Sequence, residues 1–377
     1  MPAAPIIEDF LDLVRLNVNS LKERAIADDL RARLTALGLD VEEDDVGGRL
    51  GGEAGNLIAR LPGEAGRPVI MFSAHMDRVE NHGRIRPVVD EARGIITSDG
   101  TSILAADDVT GLAAILDGLR RVRAAGRPHG EVEVVFSAAE EIGLLGARHL
   151  DFSRLKARTA YVLDCGGDLG LIVNQAPTQY SFLITVHGRS AHAGIAPETG
   201  LSAIRVAATA LTRLPEGRLS PVSTSNFGVI QAGQATNIVC ERCEIKGEAR
   251  STDQAELKAY LEKVKLVFEE TAREFGAEAQ METSLEYLTF RVEEDHPAID
   301  LARRAMKNLG LTARVTGTGG GMDGNHFNQH GLTAVGLAPG FSQAHTPREE
   351  QSIAQLIDCG RLVAEIIWEA AEGRSGI

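Results

Sequence analysis

The feature that most constrains this chain is a set of short, mainly apolar runs, most of which stop at or near a histidine or a carboxylate. Four of them, Asn56–Leu61, Pro68–Ala74, Val132–Ser137 and Ala160–Leu163, are too short for helices and read as strands covered on both faces. Helical patterns lie between several of them. In the stretch DDVTGLAAILDGLRRV, the residues Val109, Leu112, Leu116, Leu119 and Val122 recur at intervals of three or four. Strands alternating with helices imply an α/β fold, a doubly wound, mostly parallel sheet with helices on both faces. A strand at Leu332–Leu337 and a helix from about Ser352 to Glu372 resume the pattern near the end of the sequence.

The middle of the chain follows another rule. SFLITVHG alternates Phe182, Ile184 and Val186 with more polar positions, as a half-exposed antiparallel strand does. An amphipathic helix over Leu201–Leu214 follows, then strand-like runs around Asn226–Gln231 and Asn237–Arg250. A long charged helix begins with Asp253 and Glu256 at capping-box spacing, runs to about Phe275, and gives way to a strand at Thr283–Thr289. The order β-α-β-β-α-β is ferredoxin-like. Residues 178–288 are therefore expected to be a small α+β domain inserted into a larger one made of 1–177 and 289–377.

A length of 377 residues supports this division, since it exceeds one ordinary core. The net charge of −14 argues against nucleic acid or an anionic membrane as a partner. The opening MPAAPIIEDFLDLVRL lacks a signal peptide's basic and apolar regions; Ile6, Phe10, Leu13 and Val14 instead suit an amphipathic helix. With no apolar stretch of ~18 residues to span a bilayer, the expected location is cytoplasmic. Cys240 and Cys243 form a CxxC without a second pair or a nearby histidine. With Cys165 and Cys359 they read as plain thiols in a reducing compartment.

The polar residues at the strand ends carry the chemistry. Pro68–Ala74 ends in His75-Met76-Asp77, Val132–Ser137 leads to Glu140-Glu141, and Ala160–Leu163 ends in Asp164. Leu332–Leu337 leads on to His345, and Asp107-Asp108 opens the helix after Leu104. In open α/β sheets ligands bind beyond the carboxyl ends of the strands. Zinc takes imidazole nitrogen and carboxylate oxygen, and a carboxylate can bridge two ions. Asp107 suits the bridging role, although the residues alone leave open which carboxylate bridges. Each group also has an ordinary reading: a buried histidine, an N-cap aspartate, a solvated Glu-Glu loop. Separate structural uses would not all gather at one sheet edge.

HMD, SDGTSILAADDVTG, SAAEEIGLLGA, LDCGG, GRSAHAG, TNIVCERCEIKGEARS, GGGMDGNHF and AHTPRE, in this order, resemble the peptidase T branch of the M20 metallopeptidases. The resemblance spans nearly the whole chain and implies a zinc-aminopeptidase-like fold with a mixed sheet and an inserted lid domain. It also implies two zinc ions, with cobalt or manganese as alternatives. His75 and Asp164 would hold one ion, Glu141 and His345 the other, and Asp107 would bridge. Glu140 would be the general base for a water between the ions, and Asp77 would orient the His75 imidazole. His192 would stabilise the developing oxyanion, and Asn237 and Arg250 would bind the substrate. Asn325 is a candidate peptide contact, with a structural Gly-rich turn as the alternative for its segment. The implied activity is release of the N-terminal residue from tripeptides. A carboxypeptidase or N-acyl amino acid deacylase of the same family is the alternative, and the lid suggests a homodimer. Ala105, Val109 and Cys165 depart from the branch's usual residues, which bears on substrate preference and leaves every proposed ligand in place.

Overall fold

The computed structural model describes residues 4–81 and 83–373. The chain divides into two compact units, Met1–Ala176 with Phe290–Ile377, and Pro177–Thr289.

The larger unit is built on a sheet of nine strands among the described residues. Its path runs Asp40–Glu43, Leu57–Leu61, Val132–Ser137, Ile70–His75, Thr159–Val162, Thr333–Leu337, Leu171–Ala176 and Phe290–Arg291. Arg314–Gly317 pairs with Leu171–Ala176 off this path. The four central strands are parallel, and the pairings flanking them are antiparallel. The sheet is thus mixed: three of the four apolar runs join Thr333–Leu337 in its parallel part, whereas Leu57–Leu61 is antiparallel to both its neighbours. Every residue of Ile70–His75 and Val132–Ser137 is buried. Glu133 is tolerated inside the second strand because its carboxylate accepts the N–H groups of Lys156 and Ala157.

The helices Ala106–Ala125 and Ile353–Ala371 lie in close contact, and glycine sets their separation. A β-carbon on Gly118 would come within 2.4 Å of Val363 Cγ1, and one on Gly360 within 2.4 Å of Asp117 Oδ2. The first helix, Pro5–Arg15, buries Ile6, Phe10, Leu13 and Val14 against this pair. A second, four-stranded sheet joins Phe341–Ser342, Glu350–Ser352, Ile95–Ser98 and Pro87–Asp90. Its Glu350↔Thr97 register draws the segment after His345 alongside the one that leads to Asp107.

The smaller unit is a five-stranded antiparallel sheet in the order Gly217–Ser220, Ser223–Ala232, Arg242–Ser251, Thr178–His187, Glu278–Tyr287. The helices Ala203–Leu211 and Gln254–Phe275 complete a ferredoxin-like arrangement with one extra edge strand. Phe182, Ile184 and Val186 point into its core with Val206, Val264 and Phe268. Asp253 caps the long helix by accepting the N–H groups of Ala255 and Glu256. The run expected over Asn237–Arg250 becomes strand only from Arg242, which leaves Asn237 on an exposed connection. Cys243 faces the core of this unit, and Cys240 donates its thiol proton to the Arg242 carbonyl at 3.1 Å. No helix among the described residues is long and apolar enough to cross a membrane.

Candidate metal centre

Seven of the residues singled out above meet in the larger unit, at the carboxyl ends of its parallel strands. His75 is the last residue of its strand and 2% exposed. Its Nδ1–H donates to the main-chain carbonyl of Asp77 at 3.0 Å, which turns Nε2 toward Asp107 Oδ1 at 3.1 Å and Asp164 Oδ1 at 3.7 Å. The other oxygen of Asp107, Oδ2, lies 3.3 Å from His345 Nε2, and Glu141 Oε1 lies 3.0 Å from the same nitrogen. Each carboxylate oxygen of Asp107 therefore faces a different imidazole.

The Asp77 carboxylate faces the His75 ring and does further work beside it. Its Oδ1 stands 3.5 Å from the ring and accepts the Glu140 N–H at 2.9 Å. Its Oδ2 accepts the Glu141 N–H at 3.2 Å and the Ser20 hydroxyl at 2.6 Å. The Asp77 backbone carbonyl accepts from the ring with the carboxylate close by, and the same carboxylate holds the Glu140-Glu141 segment. Asp108 turns inward, accepts the His75 N–H at 3.2 Å and caps Gly111 at 3.2 Å. Residue 111 must be small, since a β-carbon there would lie 2.6 Å from both Asp108 Oδ1 and the Leu163 carbonyl.

The electrostatics are those of carboxylates crowded around two imidazoles. Burial raises the pKa of Glu140 well above the usual carboxylate range; His75 opposes this, and the charges of Asp323 and Glu141 add to it. Burial likewise raises Asp164 and Asp108, reinforced by the neighbouring carboxylates. Asp107 goes the other way: burial would raise it, but hydrogen bonds from His345 and His75 hold it below the usual range. Those bonds push His345 up to about 10, the Asp107 contact contributing most and Glu141 next. His75 also rises: burial opposes its charge, but the Asp107 hydrogen bond and the Asp164 field outweigh it.

This donor set fits divalent cations. Two triads, His75–Asp107–Glu141 and His75–Glu140–Asp164, each bring nitrogen and oxygen donor atoms within 4.8 Å of one another. His345 adds a second imidazole to the Asp107–Glu141 side. The surplus of carboxylates over cationic partners is what bound cations would offset.

Three further carboxylates, to which no role was assigned from the sequence, brace these segments. Glu349 accepts the N–H groups of Leu104, Ala105 and Asp107. Glu23 accepts those of Leu21 and Ala139. Asp323, in the Gly-rich segment, accepts the hydroxyl of Ser137 at the end of the central strand. The non-glycine residues with left-handed backbone among those described, Leu21, Ala105, Ala139, Leu144, Gln343 and His345, lie on the segments that carry or brace these groups.

The remaining predicted residues divide between the two units. Asn325 is fully buried, and its Oδ1 accepts the Met322 N–H at 3.1 Å, which holds the turn. His192, Asn237 and Arg250 belong to the smaller unit. His192 is exposed, bridges to Ile238, and has Nδ1 3.1 Å from the Gly194 N–H. The Asn237 carbonyl accepts the Ala193 N–H at 2.9 Å, so these two candidates share one corner. Arg250 makes a two-pronged ion pair with Glu248, at 2.9 and 3.0 Å.

Comparison with known proteins agrees with the fold. The family model described as Peptidase dimerisation domain, of the M20 group, matches residues 179–276, and that of Peptidase family M28 matches residues 56–186. The crystal structure of aminopeptidase PepT from Bacillus cereus is similar with a TM-score of 0.86 at 38% identity, covering 97% of this chain and 98% of that one. A tripeptidase from Staphylococcus aureus has a TM-score of 0.91 at 35% identity, with the same coverage of both chains. The Bacillus subtilis protein YqjE is 37% identical over 367 residues, 97% of this chain and 98% of its own.

Proposed function

The chain belongs to the M20 family of metallopeptidases, in its peptidase T branch, and from that premise we propose that it is a dinuclear zinc aminopeptidase releasing the N-terminal residue of tripeptides. The observation that carries the dinuclear reading is the placement of Asp107, with one oxygen toward His75 and the other toward His345. His75 and Asp164 would hold one ion, Glu141 and His345 the other, and Asp107 both. Bound there, the ions would supply Lewis acidity toward the scissile carbonyl and a water acidic enough to act near neutral pH.

The chain's own residues do the rest. Glu140, buried and strongly proton-accepting, takes the proton from the attacking water and passes it to the departing amine. Asp77 fixes where Glu140 stands by holding its backbone N–H. His192 donates to the oxygen on which charge develops, and Asn237 and Arg250 bind the peptide, Arg250 gripping its terminal carboxylate. The match to a dimerisation domain supports a homodimer formed through the smaller unit. The four free cysteines suit a reducing, cytoplasmic setting.

The test is a panel of di-, tri- and tetrapeptides with N-acyl amino acids, products identified, alongside metal analysis. Release of the free N-terminal residue from tripeptides, with two equivalents of zinc, is expected. Release of the C-terminal residue or of an acyl group would move the protein to the carboxypeptidases or deacylases. One ion per chain at full activity would end the dinuclear reading.

A further inference from the structure

Glu349 has no task in the mechanism above, yet it is 1% exposed and accepts three backbone N–H groups from a segment more than 240 residues away. Its Oε2 takes those of Leu104 and Ala105, both at 2.8 Å, and its Oε1 takes that of Asp107 at 2.9 Å. The segment it holds is not regular helix. Ala105 is left-handed at φ 61°, and Asp107 and Asp108 have non-helical torsions although the helix is under way around them. Donors at a helix start have no partners within the helix. Here a carboxylate from elsewhere in the chain satisfies them.

Glu349 is also tied to the other half of the site. It follows His345 by four residues, its own N–H donates to the Thr346 carbonyl at 3.0 Å, and the next residue enters the strand paired with Ile95–Ser98. One side chain therefore fixes the backbone of Asp107 relative to the loop that bears His345. We propose that Glu349 is a positioning residue that sets the Asp107 carboxylate between the two metal positions, an inference that rests on Asp107 being the bridging ligand. An amide in place of the carboxylate keeps the shape but turns an NH₂ toward N–H groups that need an acceptor. Removing a partner that orients a metal ligand weakens metal affinity or activity by roughly 10–100-fold.

The experiment uses the full chain with Glu349→Gln, Glu349→Asp and Asp107→Ala, each stripped with chelator. Zinc affinity is measured by competition with a chromophoric chelator, the melting temperature of the metal-free protein is recorded, and kcat and KM are taken on a tripeptide. Glu349→Gln should fold, bind zinc at least about tenfold more weakly and lose kcat by a similar factor, with KM within about twofold. Glu349→Asp keeps the charge but withdraws it by one methylene, so it should fall between, and it carries the test should the Gln variant not fold. A folded Glu349→Gln or Glu349→Asp protein that matches wild type in zinc affinity and kcat overturns the proposal. So does a drop in metal-free melting temperature with affinity unchanged. If Asp107→Ala binds zinc like wild type, the ligand assignment itself has failed. If only that variant loses zinc, the assignment stands and the role of Glu349 falls.

Discussion

The two units treat their polar residues in opposite ways. In the larger unit His75, Asp77, Asp108 and Glu140 are each at most 8% exposed, and burial raises the proton affinities of Asp108 and Glu140. In the smaller unit His192 and Asn237 stand exposed on loops at one corner. Desolvated carboxylates are destabilising unless N–H groups or cations face them, so the larger unit spends backbone donors on them. The exposed pair makes no such demand on its fold. Substitutions of the groups that ligate or brace in the larger unit should therefore disturb metal binding or stability along with chemistry. Those at the exposed corner should disturb turnover alone.

The largest expected effect is that of Glu140→Gln. Hydrolysis should fall by about 10²–10⁴ while metal content stays at the wild-type value, as read by steady-state rates and elemental analysis. Unchanged turnover would remove Glu140 as the base. His192→Ala should lower kcat by about 10²–10³, the loss typical of an oxyanion donor, with the melting temperature unmoved. A marked fall in melting temperature would break the contrast between the units. Arg250→Ala should raise KM for tripeptides by about 10–100-fold, from the loss of roughly 1.5–3 kcal/mol of charged hydrogen bonding. Little change in KM would remove Arg250 from the peptide-binding residues.

The smallest effect sharpens the comparison from the buried side. Burial, with the charge of Asp77 adding, raises Glu23 from 4.5 to about 7. The folded protein then binds a proton that the unfolded chain has released between those values. Stability contributed by this group is present at low pH and lost as pH rises through about 7. Glu23→Gln should abolish that slope in metal-free protein, and its melting temperature should exceed wild type above pH 7 but not at pH 5. Identical pH profiles would refute the assignment.

The sequence announced the frame of the site well and its bracing poorly. The strand Val132–Ser137 has the bounds its apolar run predicts, and the last helix and the capped helix at Asp253 lie where their patterns put them. Strand ends also located six of the seven clustered polar residues, Asp107 being read from the start of a helix, because a parallel sheet brings its carboxyl ends together whatever the loops do. Asp40–Glu43 and the first half of Glu278–Tyr287 went unread, since charged letters hid short strands with one solvated face. Glu349 and Glu350 are identical neighbours, yet one is buried beneath Asp107 and the other lies in an edge-sheet strand. Asp107 and Asp108 divide in the same way, one toward the imidazoles and one toward the backbone. Which member of such a pair turns inward depends on donors supplied by distant segments, and no local pattern encodes that. Arg78, 2% exposed and bonded to the Leu13 and Val14 carbonyls, was missed for the same reason.

The left-handed residues around the site also matter to anyone who wants a sturdier enzyme. That conformation costs a residue with a β-carbon about 1–2 kcal/mol, against glycine's entropic penalty of about 0.5–1 kcal/mol. At Ala105 and Ala139 the difference favours glycine by a modest margin. One route to heat tolerance thus runs through the scaffold of the site, and an engineer following it would be editing the immediate neighbours of the catalytic groups.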